Sequence, residues 1–201
     1  MSTDASTPRR TTYTADSLLD VAVAVFNERG YDGTSMEDLA RAAGITKSSI
    51  YHHVKSKEEL LERGVNRALD ALNGSLDAME AASVEVSALE RVEQAVFHAV
   101  EILVEELPYV TLLLRVRGNT EAERAAQARR REIDRRFAGF VERAVAEGSL
   151  RADVDPHLAS RLVFGMVNSV AEWYRAGHAE SAEGVASAVM HLVFDGLRAR
   201  A

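Results

Sequence analysis

Apolar residues recur along this chain every three or four positions, the period of one helix face, and no run of alternating Val, Ile and Thr bounded by turns marks a strand. Leu19, Ala22, Val23 and Phe26 form the first stripe, in a helix predicted over about 14–29 with Gly30 as its stop. Thr34 followed by Glu37 has the spacing of a capping box and predicts a second helix, with Met36, Leu39, Ala40 and Ala43 inward. Gly44 offers a left-handed turn, Ile45 an apolar plug, and Thr46 a cap for a short third helix over about 47–54 that turns Ile50 and Val54 inward. Ser56 with Glu59 opens a long fourth helix to about 80, striped by Leu61, Val65, Ala68 and Leu72. Ser87 with Glu90 repeats the signal for a fifth, which ends before Pro108. A short apolar sixth helix over about 108–117 follows, then a seventh over about 121–147 with Ile133, Phe137, Phe140 and Val141 inward and Gly148 as its stop. Asp155-Pro156 starts an eighth that runs to about 176, and a ninth covers about 182–199. The predicted class is all-α: an N-terminal three-helix unit over 1–56 and a six-helix bundle over 57–201, separated only by Lys55-Ser56 between the third and fourth helices.

Composition supports that class. Ala, Leu, Glu and Arg dominate, prolines number three, and 47% apolar with 27% charged residues is ordinary for a folded domain. With no cysteine, thiolate catalysis, thiolate metal sites and disulfides are excluded, which fits a reducing cytoplasm. The polar start of the chain has no apolar segment of a secretory signal. The uncharged run from Leu162 to Ala171 is far shorter than the roughly 20 residues a membrane helix needs, so no membrane partner is expected.

Charge changes the picture more. All the lysines, Lys47, Lys55 and Lys57, fall in one stretch from Ile45 to Lys57 that contains no acid, whereas the whole chain carries −7. An acidic protein that gathers its cations on one short helix is built to present that helix to a polyanion. Residues 36–55 also meet the requirements of a helix-turn-helix. Ala40 lets two helices approach, Gly44 turns the chain, and Ile45 and Ile50 fill the space between them. Such a pair can hold its second helix proud of the surface, where it fits a major groove. A structural hairpin with a solvated basic face has the same local pattern.

The wider context favours DNA. The helix ending Phe26-Asn27-Glu28-Arg29-Gly30-Tyr31, then Thr34-Ser35-Met36, Gly44 through Val54, and Ser56-Lys57-Glu58-Glu59-Leu60 together resemble the TetR family of bacterial transcriptional regulators, densely over about 14–62. Several matched positions are polar surface residues that no core demands. Val54 stands where the family more often has Phe. The resemblance implies phosphate contacts from Tyr51, His53 and Lys57, hydroxyl contacts at helix starts from Thr34 and Thr46, and base-edge positions for Lys47, Ser48, Ser49 and His52. Glu37 is acidic where some members reach DNA, and it receives no base contact. Arg9 and Arg10 are equally readable as a minor-groove arm or a plain tail.

The eighth helix carries Leu158, Leu162, Val163, Phe164, Met166, Val167, Val170, Trp173 and Tyr174, too many apolar residues for one stripe, so it must be covered on more than one side. Paired with the ninth, it predicts a homodimer seam from Leu162, Met166, Val170, Val185, Val189 and Leu192; an internal core helix is the alternative. The segment from Gly148 to Arg175 resembles the C-terminal domain of TetR-type regulators, including branches that respond to acyl-CoA esters. That resemblance implies a small hydrophobic effector, an acyl-CoA or a fatty acid, in a cavity lined by Phe97, Val100, Phe137, Phe140 and Phe164, although each of these also reads as plain core. Arg124, Arg129, Arg130, Arg131, Arg135 and Arg136 interleave with acids, as on a solvated helix face. Their other reading is a phosphate contact for a CoA-like effector.

The expected function is a homodimeric, nucleoid-associated repressor on a pseudo-palindromic double-stranded operator, with no cofactor, metal or catalytic residue. A ligand-insensitive binder or an activator would share the DNA-binding half. A helical-bundle enzyme lacks its signatures: no histidine has Glu three residues before it, and H-E-x-x-H, G-x-S-x-G and a phosphate-binding Gly loop are all missing.

Overall fold

The computed structural model describes residues 14–83, 85–175 and 181–198. Among them the chain forms nine helices and no strand beyond an isolated bridge between Leu150 and Arg198. The helices are α1 (Ala15–Arg29), α2 (Met36–Ala42), α3 (Lys47–Ile50), α4 (Lys57–Ala81), α5 (Ala88–Glu105), α6 (Leu107–Arg115), α7 (Glu121–Ala146), α8 (Pro156–Trp173) and α9 (Ala182–Leu197). The chain divides into two compact units, with the boundary between Leu60 and Leu61 inside α4. Arg9 and Arg10 lie outside the described residues, as do the expected ends of α8 and α9 near 176 and 199.

In the first unit, Leu18, Leu19, Ala22, Val23 and Phe26 of α1 close over Leu39, Ala40, Ile50, Val54 and Leu60. The capping box predicted at Thr34 and Glu37 sits one residue later. Ser35 is the cap, its hydroxyl accepting from the Asp38 amide at 3.2 Å while the Asp38 carboxylate accepts from the Ser35 amide at 3.0 Å. The two overlapping S/T-x-x-D/E registers differ in what their first residue has beside it. Thr34 is only 3% exposed, and its hydroxyl donates to the Gly30 carbonyl at 2.8 Å, where Gly30 leaves α1 at φ 81°.

The third helix is shorter than its pattern predicts. After Ile50 the amides of His52 and His53 bond to the carbonyls of Ser49 and Ile50, a tight i→i+3 turn that seats Val54 in the core. At the far end of the chain, α8 stops at Trp173 because Tyr174 is extended, with ψ 137°.

In the second unit α5 is the central helix. It packs on α7, α8 and α9 through Val92, Ala95, Val96, Ala99, Val100 and Leu103, and α7 packs in turn on α8. The α4–α7 contact is polar. Arg129 donates to Asn66 (2.6 Å) and Asp70 (2.5 Å), and seven residues on Arg136 donates to Asn73 (3.0 Å), Asp77 (2.6 Å) and Glu80 (3.1 Å). The acceptors fall at positions 66, 70, 73, 77 and 80, one face of α4. Arg91 of α5 ties off the end of α4, its guanidinium donating to the carbonyls of Met79, Ala82 and Ser83. Two members of the Arg-rich stretch are therefore interhelical ties rather than free cations. Ion pairs with such exposed acids are weak singly, so Arg136→Ala should cost about 1 kcal/mol, a Tm fall of about 2–4 °C by circular dichroism.

Candidate nucleic-acid interface

The first unit exposes one continuous polar surface along α3 and the turn after it. Gly44 adopts φ 67°, and the Ile45 amide returns to the Ala40 carbonyl at 3.0 Å, which brings α3 in close behind α2. The Thr46 hydroxyl accepts from the Ser49 amide at 3.1 Å and lies 3.0 Å from the Ser48 hydroxyl, so its first duty is to start the helix. With Ile50 and Val54 buried, the opposite side shows Thr46, Lys47, Ser48, Tyr51 and His52 to solvent, while Ser49 and His53 are half-buried. The expected base-facing residues and two of the expected phosphate contacts are thus brought together.

Two others are placed differently. Thr34, expected as a hydroxyl contact at a helix start, is buried and its hydroxyl is taken by Gly30. Lys57, expected as a phosphate contact, turns its amine back into the protein. The Nζ donates to the carbonyls of Tyr31 and Thr34, both at 2.8 Å, and sits 4.1 Å from the centre of the Tyr31 ring. Sequence spacing missed this brace because its partners are backbone carbonyls 26 and 23 residues away.

An ion pair on the exposed face was missed as well. Lys47, first residue of α3, donates to Glu37 of α2 at 2.6 Å, with both side chains largely exposed. The hydrogen bond and then the charge of Lys47 hold the Glu37 carboxyl below its ordinary range, and Glu37 holds the Lys47 amine above its own.

The second unit offers a different surface. Leu162 (62% exposed) and Met166 on α8, with Leu192 (70%) on α9, stand in solvent, joined by Leu158 and Trp173. Val170, Val185 and Val189, expected in the same seam, are buried within the chain; they form the floor of a groove of about 430 Å³ between α8 and α9 whose walls include Met166, Trp173 and Leu192. The seam residues divide in this way because α8 and α9 each turn one side to the core and another outward. Of the residues expected around an effector, Val100, Phe137 and Phe140 are core side chains. Phe137 meets the half-buried Phe164 edge-on at 5.0 Å, and Phe97 is half-buried. Among the described residues there is no cluster of metal-ligating side chains and no helix long and apolar enough to cross a membrane.

Comparison with known proteins gives these two surfaces a context. Residues 18–63 match the family model for bacterial regulatory proteins of the tetR family, and residues 85–197 match the tetracyclin repressor-like C-terminal domain. The chain is 31% identical over 188 residues to the HTH-type transcriptional repressor KstR2 of Rhodococcus jostii, covering 90% of this chain and 89% of that protein. Its fold superposes on SCO3833, a TetR-family member from Streptomyces coelicolor, with a TM-score of 0.84 at 58% identity over 94% of both chains. It also shares the fold of AibR, solved with isovaleryl coenzyme A and operator DNA, at a TM-score of 0.76 and 24% identity over 90% of this chain and 97% of that one. A helix-turn-helix unit with an exposed α3, continued by the matching C-terminal domain, makes this chain a member of the TetR family of transcriptional regulators, DNA-binding proteins and not enzymes.

Proposed function

We propose that two copies join through the outer faces of α8 and α9 and bind a pseudo-palindromic operator, each laying α3 in the major groove, and that a small hydrophobic effector releases them. The observation that carries this reading is the apolar strip of Leu158, Leu162, Met166, Trp173 and Leu192, large side chains left in solvent on neighbouring helices. A two-fold axis through such a strip covers it with its own copy, and a symmetric protein matches a symmetric site. Sedimentation velocity at micromolar concentration tests it: the expected species is a dimer, and a monomer overturns the reading.

Tyr51 and His53 are the proposed phosphate contacts, with Thr46 at the start of α3. Lys47, Ser48, Ser49 and His52 face the bases. Lys47→Ala or Ser48→Ala is therefore expected to change sequence preference, with roughly ten- to hundred-fold discrimination lost at particular base pairs. Binding-site selection returning one consensus for wild type and both variants would remove these residues from the reading face. Tyr51→Phe should instead weaken binding to all sequences alike.

For the effector, acyl-CoA esters and fatty acids are the first candidates, supported by the isovaleryl coenzyme A in AibR. The proposed lining is half-buried Phe97 and Phe164 together with buried Val100, Phe137 and Phe140. Helix α4 is unbroken from Lys57 to Ala81, so a ligand that shifts its C-terminal half acts on the reading unit through one continuous helix. A tenfold preference of the ligand for the DNA-free form supplies about 1.4 kcal/mol of coupling. Titration of the operator complex with acyl-CoAs, fatty acids and aromatic compounds is expected to release DNA with the first two. Release by none of them favours a ligand-insensitive regulator.

A further inference from the structure

The Glu37–Lys47 pair lies on the surface that the reading above turns to DNA, and an acid there needs a reason. It is not a stability element, because both side chains are largely exposed and such pairs contribute little. Within its own helix Glu37 sits in the first turn, where a carboxylate is favoured, and feels the charge of Arg41, itself engaged by Asp38 at 3.1 Å; neither accounts for its contact with Lys47. On a phosphate backbone a carboxylate is repulsive, and by holding the Lys47 amine it also withholds a cation from non-specific contact.

The pair has a positive use. With Nζ and Oε1 2.6 Å apart, it presents an ammonium donor and a carboxylate acceptor side by side, anchored on two helices. The major-groove edge of a C·G pair shows the complement, the cytosine N4 amine as donor beside guanine O6 as acceptor, and carboxylates accept from cytosine N4. We propose, against the expectation from sequence that Glu37 makes no base contact, that the pair it forms with Lys47 makes it a specificity-determining residue, one that reads one cytosine in each half-site and suppresses binding to unrelated DNA. This rests on the operator reading above.

The test uses the full-length protein, with Glu37→Ala and Glu37→Gln compared with wild type by binding-site selection and by the salt dependence of binding to a random duplex. Wild type is expected to select a cytosine at one position of each half-site. Glu37→Ala should flatten that position, and Glu37→Gln should shift it toward adenine, the base whose N6 and N7 an amide pairs with. On random DNA Glu37→Ala frees Lys47 for phosphate, steepening the slope of log K against log salt by about 0.9 per protomer, and Glu37→Gln, whose amide oxygen still accepts from Lys47, steepens it less. Melting curves should coincide with wild type, which separates these effects from misfolding. An unchanged consensus in Glu37→Ala overturns the proposal even if the slope changes, since the carboxylate is then only a counter-charge. Equal loss of binding to all sequences overturns it too. A wild-type protein that selects no sequence at all fails at the earlier step, the operator reading itself.

Discussion

Leu192→Glu is expected to turn a dimer into a monomer and to lower operator affinity by about 10²- to 10⁴-fold, the advantage that two linked half-site contacts have over one. Leu192 is 70% exposed in the single chain, so the substitution disturbs little of the packing that the chain makes by itself. In the proposed dimer the same position is covered. Burying the leucine contributes about 1.5–3 kcal/mol per copy, and an unpaired carboxylate in its place costs several more, twice over by symmetry. Val189→Glu would give the same monomer for a less informative reason, because Val189 is already buried within the chain and its own fold would suffer. Sedimentation velocity and an operator titration at fixed salt check both halves. A Leu192→Glu protein that remains dimeric and holds its operator places the seam elsewhere.

Helix positions were legible because stripes and caps are local. The Ser87–Glu90 and Asp155-Pro156 starts fall where their spacing puts them, each with its cap hydrogen bonds made. Where two signals overlap, spacing alone does not choose. Thr34-Ser35-Met36-Glu37-Asp38 contains two capping registers, and the choice of Ser35 follows from a tertiary fact, the buried Thr34 hydroxyl on the Gly30 carbonyl. The length of α3 failed similarly: the apolar pair Ile50 and Val54 fits an α-helix, but a tighter turn delivers Val54 to the same core.

The functional surface was legible as a set of residues and not as a set of partners. Cations on one short helix point to DNA, yet what each cation touches in the free protein depends on contacts between elements. Lys47 meets an acid ten residues back, Lys57 meets two carbonyls, and Arg129 and Arg136 meet the polar face of α4. The apolar surplus on α8 was visible in the same way, whereas the division into a buried valine floor and an exposed leucine rim needed the packing on α5 and α7.

Lys57 carries the last of the large expected effects. Its amine closes two hydrogen bonds of 2.8 Å to Tyr31 and Thr34 and covers the Tyr31 ring, which also meets Phe26 edge-on at 5.3 Å between ring centres. The brace fixes the turn from which α2 starts, immediately before the Ser35 cap. Lys57→Met keeps the length of the side chain and removes the donors, leaving the Tyr31 carbonyl with the Thr34 amide alone and taking the Nζ donor from the carbonyl of buried Thr34. Charge-assisted bonds of this kind and one cation–π contact together suggest a loss of about 2–3 kcal/mol. For a chain of this size that is a Tm fall of roughly 4–12 °C. Operator affinity should fall with it, because the start of α2 loosens, but the dependence of log K on log salt should keep the wild-type slope, since two of the three amine protons are already engaged inside the protein. A direct phosphate contact predicts the reverse: an unchanged melting curve and a slope shallower by about 0.9 per protomer. Thermal unfolding and salt titration of the same preparation separate the two, and an unshifted Tm with the shallower slope would return Lys57 to the phosphates.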